Sequence, residues 1–102
     1  MLEIRPTCEN CGAELLPNSL EARICSFECT FCRTCVEDIL DNVCPNCGGG
    51  FTPRPVRPAR RWKGGNSLAD APASAEVVSK PVDHASHKAF AASIRTIPPD
   101  RR

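Results

Sequence analysis

Eight cysteines lie within forty residues of this chain: Cys8, Cys11, Cys25, Cys29, Cys32, Cys35, Cys44 and Cys47. Their spacing is C-x2-C, thirteen residues, C-x3-C-x2-C-x2-C, eight residues, C-x2-C. Eight thiolates supply two complete tetrahedral metal sites, and a closed four-sulfur site suits structural zinc. The cysteines end at Cys47, and most of the ten prolines follow Thr52. The chain therefore divides into a cysteine domain, residues 1–53, and a Pro/Arg-rich then Ala/Ser-rich tail, residues 54–102, expected to be largely disordered. A domain of about fifty residues buries little apolar surface and usually needs a staple. Its apolar candidates are Ile4, Leu15, Leu16, Leu20, Ile24, Phe27, Phe31, Val36, Ile39, Leu40, Val43 and Phe51. Structural zinc supplies roughly 10–16 kcal/mol per ion in small peptides.

Disulfides are the competing use of eight cysteines, with about 105 possible connectivities. Met1 to Thr7 contains Glu3 and Arg5 and has no apolar segment of the kind a secretory signal needs. The expected setting is thus a reducing cytoplasm, where close cysteines serve as ligands more often than as bridges. Iron–sulfur ligation is the other metal alternative.

Charge is divided unevenly. Residues 1–53 carry three arginines against eight carboxylates, a net of −5. Residues 54–102 carry ten basic residues against four acids, a net of +6. Two zinc ions, each in four thiolates, take the first half to about −9. An acidic domain repels nucleic acid, so any such contact is expected from the tail. There Arg54, Arg57, Arg60, Arg61 and Lys63 surround Trp62. That set can hold phosphates and stack a base. A solvated linker, or one folded back on the acidic domain, is the preferred reading.

Secondary structure is legible in places. Ala22–Cys25 and Glu28–Phe31 read as a short hairpin turning near Ser26-Phe27. Arg33–Leu40 reads as a helix, with Thr34 as its cap, Glu37 at capping-box spacing, and Asp41-Asn42 as its end. Val36, Ile39 and Leu40 share one face. In the tail, Pro53 to Pro58 favours an extended chain, and Gly64 to Ser79 has linker composition. Pro81 to Ile97 has a weak helical period through Phe90, Ile94 and Ile97, with Asp83 as a cap. Such a helix is marginal in isolation. His84 and His87 read as an incidental pair, not a third metal site. The fold class expected is a small metal-stabilised α+β module of treble-clef type.

Cys8-Glu9-Asn10-Cys11-Gly12 and Cys44-Pro45-Asn46-Cys47-Gly48 both read C-x2-C-G. Tight turns of this kind aim two thiolates at one ion, and the glycine accepts a left-handed conformation. Two pairings compete. Interleaved, Cys8, Cys11, Cys32 and Cys35 hold one ion while Cys25, Cys29, Cys44 and Cys47 hold the other. Sequentially, the first four and last four cysteines each hold one. The interleaved set is preferred, because eight residues between Cys35 and Cys44 leave little room for an independent second finger.

This order resembles a RING finger, which cross-braces two zincs by interleaving. Cys29-Thr30-Phe31-Cys32 is similar to the RING His-x-Phe-Cys stretch, and Cys44-Pro45-Asn46-Cys47 to its final Cys-Pro-x-Cys. Glu9-Asn10 replaces the aliphatic residue usual in RING ubiquitin ligases. Residues 36–43 lack their tryptophan, and Gly48 replaces their basic residue. The resemblance therefore implies the fold and not the ligase activity. A second resemblance is to a bacterial family known as domain of unknown function 1272. It rests on Ile24 through Cys32, on Leu16-Pro17, and on Cys44-Pro45-Asn46-Cys47-Gly48-Gly49 with Phe51 and Arg54-Pro55. It covers residues 4–58 and implies a bacterial cytoplasmic protein without an established activity.

No catalytic set emerges. A catalytic zinc keeps an open position, and a reactive cysteine needs a free thiolate; eight thiolates on two ions leave neither. The expected function is non-catalytic: a zinc-binding module that contacts another protein as an adaptor. The alternatives are nucleic-acid association through the basic tail, and a thiol/zinc redox switch in which oxidation releases metal.

Overall fold

The computed structural model describes residues 1–102. Three short strands form an antiparallel sheet in the order β2-β1-β3, with β1 at Ala22–Ile24, β2 at Thr30–Cys32 and β3 at Thr52–Pro53. In the hairpin, Ala22 pairs with Cys32, Arg23 with Phe31 and Ile24 with Thr30. Its turn closes through a bond from the Glu28 N–H to the Cys25 carbonyl, and Glu28 then takes φ +66°. A three-residue hairpin loop needs such a left-handed residue after its turn. β3 adds to the free edge of β1, with Ile24 opposite Thr52 and Arg23 opposite Pro53. Nothing in the local sequence marks this two-residue strand.

α1 spans Arg33–Asp38 and follows β2 directly. Its cap is Cys32, whose sulfur accepts from the Cys35 N–H at 3.5 Å. The expected Thr34 cap is corrected here: Thr34 lies inside the first turn, because the cysteine before the helix already fills that role. The helix also ends sooner than Leu40. Asp41 and Asn42 adopt φ +52° and +55°, and the Asn42 N–H returns to the Val36 carbonyl at 3.1 Å.

The core contains Leu15, Ala22, Phe31, Val36 and Leu40 together with Cys8, Cys25, Cys29, Cys35 and Cys44. Half of it is therefore sulfur. Phe51 meets Phe31 edge-on, with ring centres 5.4 Å apart. Three expected core residues, Leu16, Leu20 and Phe27, are instead exposed, because the connecting segments and hairpin turn that carry them face solvent.

The tail departs from the expected disorder. It runs back over residues 1–53 and is held by backbone and arginine contacts that composition does not reveal. Arg54 is 4% exposed and donates to the carbonyls of Arg5 and Leu16, both at 2.9 Å. Arg57 donates to the carbonyls of Leu2 and Ala71 at 2.7 and 2.6 Å. The Ser74 N–H reaches the Ile4 carbonyl at 2.9 Å, and the Lys80 N–H reaches that of Glu9 at 2.8 Å. α2, His84–Ala91, is capped by Asp83 as its sequence suggests, through the Ser86 N–H at 2.8 Å. Ala91 is fully buried, and His87 Nε2 lies 3.0 Å from the Leu40 carbonyl. The marginal helix is thus supported by packing on the cysteine domain. A 3₁₀ turn, Pro99–Arg101, precedes Arg102, which donates to the Asn42 and Gly48 carbonyls.

Burial lowers the pKa of the Arg54 guanidinium, which has no carboxylate partner. Its retention is explained by the carbonyls it satisfies. Arg54→Met keeps most of the stem and removes both bonds. It is expected to cost about 1–2 kcal/mol, read as a lower urea midpoint for metal-loaded protein.

Candidate metal centre

The four sulfurs of Cys8, Cys11, Cys32 and Cys35 lie within 4.8 Å of one another. Cys11 Sγ and Cys32 Sγ are 3.7 Å apart. Two sulfurs on one zinc at about 2.3 Å in a tetrahedron stand about 3.8 Å apart. The first knuckle supplies Cys8 and Cys11; the end of β2 and the first turn of α1 supply Cys32 and Cys35.

A second group joins Cys25, at the end of β1, to Cys44 and Cys47 of the second knuckle, again within 4.8 Å. Cys29 borders this group. Its thiol interacts with those of Cys25 and Cys44, and the Asn46 amide donates to it at 3.4 Å. None of the eight cysteines is in a disulfide. The grouping alternates along the chain, so β1, β2 and α1 are tied to both knuckles.

The two knuckles repeat one bonding scheme. In the first, the Gly12 N–H donates to the Cys8 carbonyl at 3.0 Å and the Cys8 N–H to the Ala13 carbonyl at 2.9 Å. In the second, the Gly48 N–H donates to Cys44 and the Cys44 N–H to Gly49, both at 2.8 Å. Gly12 and Gly48 take φ +76° and +77°, a region that penalises a side chain. The Asn side chain repeats as well: Asn10 Nδ2 donates to Cys35 Sγ at 3.3 Å, and Asn46 Nδ2 to Cys29 Sγ. The sequence shows Asn at both positions, a repeat to which the C-x2-C-G pattern alone gives no role.

Backbone N–H groups also aim at sulfur, from Cys11 to Cys8, Phe27 to Cys25, Cys35 to Cys32, Asn46 to Cys44 and Gly49 to Cys47, at 3.4–3.5 Å. Such donors favour the thiolate form. Burial opposes it. Burial pushes the Cys35 and Cys44 thiols far above their ordinary value, with like neighbours adding to the shift; the Asn10 amide works the other way at Cys35. Burial likewise raises Cys29 and Cys32. At Cys11 burial is outweighed by bonds from the Ala13 backbone and from neighbouring thiols, and the thiol falls below its ordinary value. Sulfur-only donors gathered within 4.8 Å, one pair at tetrahedral spacing, and inward N–H groups together fit a divalent soft-to-borderline ion.

Glu9 sits between the two cysteines of the first knuckle and is 1% exposed. Its carboxylate accepts from the Thr30 N–H on β2 and from Arg5 Nη1 at 2.7 Å. The Glu9 N–H in turn reaches the Thr30 carbonyl at 3.0 Å. Hydrogen bonding and attraction to Glu9 outweigh burial at Arg5 and raise its pKa. The acid of Glu9-Asn10, noted in the sequence only as a departure from the RING pattern, is thus a buried clamp between knuckle and sheet.

The residues singled out for nucleic acid are separated by the fold. Arg54 and Arg57 hold backbone carbonyls, and Arg61 pairs with Asp70 at 2.7 Å. Arg60 lies over the Trp62 ring, 5.9 Å from its centre. Arg60, Trp62 and Lys63 remain exposed. His84 and His87 belong to neither thiol group. No helix is long and apolar enough to cross a membrane.

The profile of a family described as "Protein of unknown function (DUF1272)" matches residues 1–57, which include all eight cysteines and reach Arg57. The chain belongs to the DUF1272 family. A relative from Rhizobium meliloti (strain 1021), "Uncharacterized protein R02474", is 51% identical over 81 residues. That likeness covers 79% of this chain and 89% of the relative. At 81 residues this likeness is longer than the matched residues 1–57 and so includes part of the tail. No solved structure matches the chain.

Proposed function

We propose that this protein is a non-catalytic two-zinc module of RING-like, treble-clef type, in which interleaved ligation by Cys8, Cys11, Cys32 and Cys35 and by Cys25, Cys29, Cys44 and Cys47 builds a rigid surface for a protein partner. The observation that carries the reading is the gathering of the Cys8 and Cys11 sulfurs with those of Cys32 and Cys35 within 4.8 Å, the Cys11–Cys32 pair at 3.7 Å. Four sulfurs complete a zinc shell and leave no position for water or substrate. Cys29 is the fourth ligand of the second ion in this reading, since it lies beside Cys25, Cys44 and Cys47 and already accepts from the Asn46 amide of that knuckle. The burial of Glu9 speaks for a structural role of the first knuckle and against a ligase-type surface there. Exposed Leu20 and Phe27, next to and within the hairpin, suit a protein contact better than a nucleic acid.

X-ray absorption at the zinc edge tests the closed-site reading. The expected result is four sulfurs per ion at about 2.3 Å. A light-atom ligand in the shell would contradict it.

Loading is also expected to release protons. Cysteine is mostly the neutral thiol near neutral pH and must deprotonate to bind metal. Binding therefore weakens as pH falls, because acid returns protons to the metal-free form. Zinc added to reduced, metal-free protein in weak buffer near neutral pH should free about four protons per ion, read with an indicator dye. Release of fewer than about two would mean that thiolates are not the ligands.

A further inference from the structure

We propose that Asn10 joins the first thiol cluster to the tail, so that an ion in that cluster fixes residues 80–94 over the two knuckles and loss of the ion frees them. The inference rests on the zinc reading above. Asn10 uses both ends of its amide. Nδ2 donates to Cys35 Sγ at 3.3 Å, and Oδ1 accepts from the Val82 N–H at 2.9 Å. One residue away, the Lys80 N–H donates to the Glu9 carbonyl at 2.8 Å. The first knuckle thus holds the chain at two successive points immediately before α2.

The second knuckle receives α2 and the residues just beyond it. A Cβ built on Gly48 would stand 3.7 Å from Ile94 and 3.8 Å from Phe90, so this stretch packs closely on the knuckle's left-handed glycine. His87 is buried with Nε2 at the Leu40 carbonyl, just past α1, and Ala91 is buried one turn further along α2. The strap therefore rests on two surfaces shaped by convergence of cysteine pairs.

An ion strengthens this joint for a physical reason. A filled site gathers the sulfurs of Cys8, Cys11, Cys32 and Cys35 around one point, so the Cys35 sulfur stands where the Asn10 amide reaches it while presenting Oδ1 to Val82. Without the ion, nothing draws the four sulfurs together, and the amide loses its fixed partner. Coupling must be reciprocal: a docked strap slows loss of the ion by the factor by which the ion favours docking. Asn46 provides an internal contrast. Its amide donates to Cys29 in the same way, but it makes no bond to the strap.

The test uses the full chain. Val82→Pro removes the N–H that Asn10 accepts and also trims an apolar side chain packed on the cysteine cluster; Asn10→Ala removes the joint from the other side and leaves that side chain in place. In zinc-loaded protein, each is expected to speed tryptic cleavage after Lys88 roughly five- to tenfold, the worth of a lost hydrogen bond. In cadmium-loaded protein, each is expected to hasten decay of the first-site cadmium-113 signal into excess chelator by a similar factor. The double variant should exceed Asn10→Ala by no more than about twofold, since both remove one link. Asn46→Ala should hasten loss from the second site and leave cleavage after Lys88 unchanged. A freed strap in Val82→Pro with wild-type metal loss, or a strap freed equally by Asn46→Ala, would overturn the proposal. Wild-type protein that takes up no zinc would instead remove the function proposed above, and this inference with it.

Discussion

Stripping the metal from reduced protein is expected to unfold residues 1–53. Five of the ten residues in the central cluster are cysteines, so its other apolar members are Leu15, Ala22, Phe31, Val36 and Leu40, with Ile4 and Val43 buried beside them. Cys35 and Cys44 are deeply enclosed, and a neutral thiol is only a small hydrophobe. A structural zinc contributes about 10–16 kcal/mol in small peptides. Whole domains are stable by only about 5–15 kcal/mol. Loss of either ion therefore exceeds what the remaining contacts can offset. Excess chelator with a phosphine reductant should collapse amide dispersion for Phe31, Val36 and Leu40, and zinc should restore it. Dispersion that survives chelation would mean that the apolar cluster suffices alone.

The second large effect is expected at Glu9. Glu9→Ala leaves the Thr30 N–H without its acceptor and Arg5 without its main partner. Breaking a buried pair from one side costs about 3–5 kcal/mol. Arg5 keeps 18% side-chain exposure and a second carboxylate, Glu3, at 3.6 Å. Those partial alternatives put the expectation near the lower end, about 3 kcal/mol. Glu9→Gln keeps an acceptor for Thr30 and should cost less, about 1–2 kcal/mol. The readout is exchange of the Thr30 amide at saturating zinc, which separates opening of the sheet from metal loss. Wild-type protection in Glu9→Ala would show that the carboxylate does not hold β2.

The legible parts of this fold are those written in short-range spacing. Two C-x2-C-G runs announce knuckles, and Gly12 and Gly48 adopt the left-handed turns expected of them. The hairpin and α1 follow from their patterns, except that Cys32 displaces Thr34 as cap. Asp83 caps α2 as its position suggests. The hidden parts depend on partners distant in sequence. Arg54 and Arg57 look like solvated or phosphate-binding cations until backbone carbonyls of Leu2, Arg5 and Leu16 are placed beside them. Low hydrophobicity makes residues 54–102 read as disordered, since composition registers apolar burial and not arginine–carbonyl bonding. Glu9 shows the same limit. Isolated acids belong on surfaces, and only the nearby Thr30 N–H and Arg5 explain one at the centre. In the candidate site, alternation of the cysteines follows from their order, but the second role of Asn10 depends on a residue 72 positions away.

The most direct measurement is cadmium-113 NMR of reduced, cadmium-saturated protein, correlated to cysteine β-protons. Two resonances are expected, one coupled to Cys8, Cys11, Cys32 and Cys35 and the other to Cys25, Cys29, Cys44 and Cys47. A single resonance, couplings that join Cys8 and Cys11 to Cys25 and Cys29, or a Cys29 that couples to neither ion would contradict the two interleaved, closed sites.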